Sequence, residues 1–398
     1  MNSKTAFSWW PALLYFPGAA GVFLAEAAVR ISPEVIVSLA PFGVIFPISW
    51  MLLVIGTIAA LFKGKWKSTL ALAVLIMISW PNACVTWGWN ASWPAHQVIP
   101  RWGIDWAPAA AVREPMKSIE MHDAELRILS WNVRQFNRFF WIDQTGIQDS
   151  IVAYMASKAP DVICIQECYL EKTDRPWMSR EALIRGTGLS HWQEEFKLGR
   201  GQKKLFGLVI MSRFPIVGHG AIGFENDENN SAMYVDVLVE GDTLRVFNAH
   251  MGSIGFDQTD YEATQRVNEE AARDQIRSRM NTAWRKRAFQ AELVSGHVQR
   301  SPYPVVLAGD FNDTPVSYAV HRFQPWLEDA YSTAESQVGN TPWLGATYSG
   351  ELPFLRIDHV LHSPVFRCVR FETGAVQMAD HRPLIVDFAL GSGPDLIE

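Results

Sequence analysis

The chain has 398 residues, 48% of them hydrophobic and 19% charged, with a formal net charge of −6. The length leaves room for one large domain with a further element beside it. From residue 121 onward 27 Lys and Arg stand against 36 Asp and Glu, a net of −9, which excludes a strongly basic duplex-binding face over the domain as a whole.

The further element is N-terminal. Residues 7–25, 35–62 and 68–99 carry no charge. A spanning helix needs about 20 apolar residues, so each stretch is long enough. The pattern predicts three transmembrane helices, near residues 9–29, 39–61 and 69–89, which exceed any signal peptide. Lys63, Lys65 and Lys67 crowd the turn between the second and third, and Lys4 precedes the first. Arg30, with Glu34 beside it, is the only cation in the first turn. The positive-inside rule then places the N-terminus and the lysine turn in the cytoplasm, and the rest of the chain outside a cytoplasmic membrane. Trp87, Trp89 and Trp93 are expected as an aromatic belt on the outer face, with Trp80 packed deeper.

The anchor is expected over residues 1–90, a linker over 91–124 and a catalytic domain over 125–390, with 391–398 as a tail. The linker holds Pro94, Pro100, Pro108 and Pro115 and shows no period. The domain then alternates. A strand at 126–133 precedes a helix at 146–158 that Pro160 ends. A strand at 161–166 precedes a helix at 179–187, stopped at Gly186 and Gly188. Strands at 192–198, 206–211, 216–223, 232–239 and 243–250 read as consecutive antiparallel partners, with Glu240-Gly241-Asp242 as a tight turn. A long helix follows over 263–299, then strands at 304–309, 356–361, 366–373 and 384–390. Such a list predicts an α/β fold of two packed, mostly antiparallel β-sheets flanked by helices.

Six polar clusters stand at the ends of apolar runs. Asn132 ends the first strand, and Gln166-Glu167 ends Asp161-Val162-Ile163-Cys164-Ile165. Asn248 and His250 end the run from Leu244, and Asp310 and Asn312 follow Val305-Val306-Leu307-Ala308-Gly309. Asp358 lies in Arg356-Ile357-Asp358-His359-Val360, and Asp380-His381 precedes the strand at Leu384. Residues two apart leave a strand on the same side, so Asp310 with Asn312, and Asn248 with His250, are placed to hold a water, a metal or a phosphate oxygen. One such pair is also how an Asx turn closes a strand; six in one chain point to a site.

Taken in order, WNV, QE, NAH, GDFN, RIDHV and ADH resemble the motifs of the endonuclease/exonuclease/phosphatase superfamily, whose fold is like that of pancreatic DNase I. The resemblance covers about residues 125–390. The strand Phe206–Ile216, with Ser212-Arg213-Phe214-Pro215, resembles a further piece of that pattern. Where the family commonly has Ser-Asp-His, this chain has Ala379-Asp380-His381.

The resemblance implies hydrolysis of a phosphoester with Mg2+ (or Mn2+), and roles follow residue by residue. Asn132, Glu167 and Asp380 are the expected metal ligands. Asp310 would orient or deprotonate water, with Asn312 holding the phosphate or a metal-bound water. His381 would contact the phosphate and share a proton with Asp358, and His250 would face the leaving-group or phosphate oxygens.

Around these, Arg134 is open between a phosphate contact and a surface ion pair, and Asn248 between a loop brace and a substrate contact. Lys203 and Lys204, with Lys197 and Arg200, are expected to meet a phosphate backbone or anionic lipid headgroups. His359 is out of phase with Asp358 and expected on the other sheet face. No CxxC occurs, and Cys168 has no local His to activate it.

The expected activity is a membrane-anchored phosphodiesterase of endonuclease or exonuclease type. A sphingomyelinase-like headgroup enzyme and a non-catalytic scaffold are the alternatives. The partners implied are a phosphodiester substrate, nucleic acid or lipid headgroup, and the bilayer; no protein partner is inferable.

Overall fold

A computed structural model describes residues 10–89, 125–198 except 175, 204–254 except 226 and 228, 270–339, and 345–390 except 351. The linker at 91–124, the tail at 391–398, Lys203 and the first residues of the expected long helix lie outside the described residues. Two compact units divide them. One takes in the described parts of Met1–Trp106, Ile254–Ala288 and Thr314–His321, and the other those of Ala107–Ser253, Phe289–Asp313 and Arg322–Glu398.

In the first unit the helix Trp10–Ala28 is long and apolar enough to cross a membrane. The second and third predicted spans are each broken. Pro33–Val44 meets Phe46–Phe62 at 61°, and Trp66–Ile78 meets Trp80–Trp87 at 57°. The count is therefore one such helix, or up to three if each bent pair is one span. Pro47 and Pro81 each sit at the start of the second member. Proline lacks the N–H for the preceding turn and clashes with it, so the helix ends and restarts at an angle. Glycine lets Trp10–Ala28 and Phe46–Phe62 approach closely: a Cβ at Gly18 would lie 2.4 Å from Leu53 N, and one at Gly56 2.6 Å from Tyr15 N. Trp87 and Trp89 stack at 5.3 Å and pack on Trp50 at 5.0 and 5.8 Å. Glu26, nearly buried, accepts a hydrogen bond from Asn82 at 2.7 Å and pairs with Arg30 at 2.6 Å.

The second unit holds strands β1 (Glu125–Asn132), β2 (Val162–Glu171), β3 (His191–Leu198), β4 (Lys204–Ser212), β5 (Ile216–Gly223), β6 (Ser231–Val239) and β7 (Asp242–His250). They are followed by β8 (Val305–Asp310), β9 (Glu328–Asp329), β10 (Ser336–Val338), β11 (Asp358–His362), β12 (Arg367–Thr373) and β13 (Leu384–Ala389). One sheet has the order β10-β12-β13-β1-β2-β4-β3 and the other β5-β6-β7-β8-β11-β9. Both are mixed: β1–β2, β10–β12 and β7–β8 are parallel, and the remaining pairs are antiparallel. The predicted run of five consecutive partners is corrected at one point. β4 belongs to the first sheet and β5 to the second. The crossing falls at Arg213-Phe214-Pro215, where Pro215 has no N–H to continue a ladder. The short β9 and β10 were not expected.

Alternation along the strands builds two cores. Leu126 and Ile128 of β1, Val162 and Cys164 of β2, and Leu208 and Ile210 of β4 join Val235, Val246, Val306 and Val360 in one cluster. Their neighbours Leu129, Trp131, Ile163, Ile165, Val209 and Met211 face the opposite way, towards Ile151 and Met155 of the helix Ile147–Ser157. Strands buried on both faces read as near-continuous apolar runs, which is why the polar residue ending each run is conspicuous.

Candidate active site

The inner-face phase of each strand carries its last polar residue into one place. Ile128 and Val162 are inner-face residues, so Asn132 and Gln166 follow in phase at period 2. Val306 and Ala308 put Asp310 on that face, and Leu244 and Val246 put Asn248 and His250 there. Val360 does the same for Asp358. Register then aligns them: His250 pairs with Asp310 across β7 and β8, and Asp358 with Asp310 across β11 and β8.

Glu167 should face outward by alternation, and a bulge re-aims it. The β2–β4 register shifts between Ile165 and Cys168, and Glu167 takes φ 51°. A bulge turns the strand locally and changes the side-chain direction. Asn132 Nδ2 consequently reaches Glu167 Oε1 at 3.1 Å and Asp310 Oδ2 at 3.0 Å.

Asp310 is the centre, 1% exposed. Its Oδ2 lies 3.7 Å from His250 Nε2 and 3.6 Å from His381 Nε2. Its Oδ1 accepts the Asn312 N–H at 2.8 Å. Burial, then the Asp358 charge, pushes the Asp310 carboxyl up, against the pull of His381 and His250. His381 Nδ1 is hydrogen-bonded to Asp358 Oδ2 at 2.9 Å. Burial lowers the His381 pKa, but Asp358 and Asp310 outweigh it and hold the imidazole well above its usual value. His250 shifts the other way, because burial outweighs Asp310. Two buried imidazoles, one favoured as cation and one as neutral ring, flank one carboxylate; such splitting is how a site divides acid and base work. Glu167 is raised by burial and by the charge of Asp380.

The expected site residues have these partners in the structure. Asn132 Oδ1 accepts the Arg134 N–H at 3.0 Å, while its Nδ2 donates to the two carboxylates. Asn312, at φ 53°, donates from Nδ2 to Met251 O at 2.9 Å, bracing the turn after His250. Asn248 is fully buried and its side chain is spent inside the protein: Nδ2 donates to Ile165 O and Val209 O, and Oδ1 accepts from Gln166 at 2.7 Å. It ties the two sheets together. Arg134 pairs with Asp380 Oδ2 at 3.0 Å. Lys204 begins β4. His359, out of phase with Asp358, is fully buried and hydrogen-bonds Asp313 O at 2.9 Å.

Other residues complete the arrangement without a readable sequence signal. Tyr348 lies edge-on to His381 at 5.3 Å, Trp131 Nε1 donates to His381 O at 2.9 Å, and Ser349 N donates to Asp380 O at 2.6 Å. Gln290 accepts the Gly252 N–H and donates to Asp227, both at 2.8 Å, fixing the chain beyond His250. Arg356 is buried against Asp329 at 3.0 Å and His359 at 3.3 Å. Arg356 heads the RIDHV motif, where the sequence gives it no role of its own; nothing pointed to Asp329.

Among the described residues, Asp310, Asp358 and His381 offer ligand atoms within 4.8 Å of one another, a group able to hold a cation. Asp380 Oδ1 is buried without a hydrogen-bond partner.

The sequence profile of the Endonuclease/Exonuclease/phosphatase family matches residues 129–381. A solved structure of a family protein from Bacteroides thetaiotaomicron aligns with a TM-score of 0.50 at 17% identity, over 67% of this chain and 95% of its own. One from Bacteroides vulgatus gives 0.49 at 16%, over 67% and 100%. One from Beutenbergia cavernae gives 0.48 at 23%, over 68% and 73%. At these identities the likeness is one of fold. No curated protein matches the chain.

Proposed function

The chain belongs to the endonuclease/exonuclease/phosphatase family and is a phosphoester hydrolase, and from that premise we propose a divalent-metal-dependent phosphodiesterase held at a membrane by its N-terminal helices. The observation that carries this reading is Asp310, buried between His250 and His381 with Asp358 behind the second imidazole.

Mg2+ (or Mn2+) fits the donors present. Asp380 keeps a buried oxygen without a partner, and its charge helps to raise Glu167, a repulsion that a cation relieves. A hard cation takes carboxylate oxygens of this kind. Glu167 and Asp380 would hold it, oriented by Asn132 and Arg134, and it would supply charge neutralisation for the phosphoryl and leaving oxygens. Asp310 orients the attacking water and accepts its proton. His381, kept cationic by Asp358, binds a phosphoryl oxygen, and neutral His250 hydrogen-bonds the phosphate or leaving oxygen.

A phosphodiester in nucleic acid stands ahead of a lipid headgroup as substrate, on the breadth of nucleases in the family. The detergent-solubilised full chain is to be assayed on DNA, RNA, nucleotides, phospholipid and sphingomyelin, with Mg2+ and with EDTA. Cleavage with Mg2+ that stops in EDTA is expected; equal rates in EDTA remove the metal reading. Cleavage of vesicle-borne lipid alone moves the substrate to the headgroup class.

The membrane reading has its own test. Three spans with the lysine turn in the cytoplasm would put the catalytic domain on the outer side of the cytoplasmic membrane. All four cysteines are buried, so a cysteine introduced at exposed Asn229 is the reporter. An impermeant maleimide should label Asn229→Cys in intact spheroplasts. Labelling only after lysis means the opposite orientation.

A further inference from the structure

Directly after Asn132 the chain makes a left-handed turn of non-glycine residues. φ is 41° at Arg134, 57° at Gln135, 52° at Phe136, 58° at Asn137 and again 54° at Phe140. Such backbone is strained for L-residues and persists only where its surroundings hold it. Here Phe136 is fully buried and its carbonyl accepts from Trp177 Nε1 at 3.0 Å. Asn137 exchanges two side-chain hydrogen bonds with the backbone of Ile142, both 2.9 Å.

The braced segment presents three consecutive large apolar residues to solvent. Phe139, Phe140 and Trp141 are 54%, 52% and 52% exposed. Phe139 and Trp141 stand at 62° with centroids 6.1 Å apart. The segment is joined to the catalytic centre by one cation. The Arg134 guanidinium is 3.0 Å from Asp380 Oδ2 and lies over the Trp141 ring, 4.3 Å from its centroid.

We propose that Trp141 and Phe139 form a stacking subsite for a planar ring carried by the substrate, with Arg134 bridging that ring to the phosphate bound at His250 and His381. The inference rests on the phosphoesterase reading of that centre and adds a substrate class: a phosphoester bearing an aromatic heterocycle, as a nucleotide does. Every nucleobase has a π-face, so exposed aromatic rings at a fixed distance from a phosphate site recognise nucleotides without hydrogen-bond readout.

Two features favour a ring over a bilayer as the occupant. The segment is rigidly held, which a fixed ring-to-phosphate distance requires and insertion among acyl chains does not. Arg134 is turned inward to Asp380, and Arg138, the other cation on it, is paired with Glu171 at 3.1 Å. An interfacial wedge is ordinarily flanked by cations free to meet anionic headgroups.

The test measures binding apart from turnover. Full-length protein carrying Asp310→Asn, solubilised in detergent with Mg2+, is titrated with adenosine 5′-phosphate and with ribose 5-phosphate. The ring should confer tighter binding by about tenfold or more. Adding Trp141→Ala or Phe139→Ala should collapse that preference towards unity. Ribose 5-phosphate affinity in the same variants reports that the site is still folded. A preference unchanged in both variants overturns the inference. So does a preference that persists while the variants, with Asp310 restored, lose hydrolysis of phosphatidylcholine vesicles, since the triplet is then a bilayer contact. Equal affinity of the unsubstituted aromatic segment for both ligands overturns the stacking subsite alone and leaves the phosphate site standing. Binding of neither removes the phosphate site, and the subsite with it.

Discussion

Asp310→Ala and His381→Ala should each lower kcat/KM by about 10²–10⁴-fold, the range for loss of a positioned proton-transfer group. Asp310 has both imidazoles within 3.7 Å. The double variant should fall little further than either single one, because groups that act as a unit are strongly non-additive.

Stability should move the other way for Asp310→Asn. Burial raises the Asp310 pKa, so its charge costs the folded state stability relative to the unfolded chain. A neutral amide of the same shape should therefore unfold at the same temperature or a higher one, while activity is lost. Rates for Asp310→Ala near those of the unsubstituted enzyme would remove Asp310 from the chemistry. A large fall in Tm with Asp310→Asn would mean that activity was lost through unfolding.

The second large effect lies behind the site. Asp329→Ala should destabilise the sandwich unit by about 3–5 kcal/mol, the loss when one partner of a buried ion pair is removed. Arg356 is 2% exposed and His359 fully buried, so neither can turn to water. Burial alone would raise the Asp329 pKa, but Arg356 and His359 bring it from 3.8 down to about 2. A depressed carboxyl stabilises the fold above its unfolded pKa of about 3.9 and loses that contribution as pH falls through the folded value. The share at stake is about 2 kcal/mol, lost between about pH 4 and pH 2. Denaturant unfolding across that range should show the loss in the unsubstituted protein and a flatter profile in Asp329→Ala. Replacing Arg356 with Met in the Asp329→Ala background should recover part of the stability, since the orphaned charge is then gone. An Asp329→Ala protein with unchanged unfolding free energy would show the pair to be energetically silent.

Most strands were legible because burial on both faces of a sheet demands near-continuous apolar runs, and the runs at Ile128, Val162, Val246, Val306 and Ile385 all have that form. The polar residues that end those runs, Asn132, His250, Asp310 and Asp358 among them, stood out by position, and the family resemblance gave them their roles. The apolar N-terminal stretches were equally plain, since only composition and length enter. Pro47 and Pro81 were visible too, but whether a proline kinks or ends a helix depends on what packs around the freed carbonyl.

What the tertiary structure alone decided concerns residues whose roles depend on partners far away in the chain. Glu167 reaches the site through a bulge, against its own alternation, and a bulge is a mismatch between two strands that neither strand announces. Asn248 has the same phase as His250 yet is consumed by Gln166, Ile165 and Val209, because it sits one step deeper between the sheets. Asp329 meets Arg356, 27 positions further along the chain. Trp141 became part of the site only when a left-handed turn laid it under Arg134. Alternation is a local property, set by the backbone of one strand, and sequence carries it in full. Pairing between strands and between side chains is set by three-dimensional proximity, which a linear pattern does not encode.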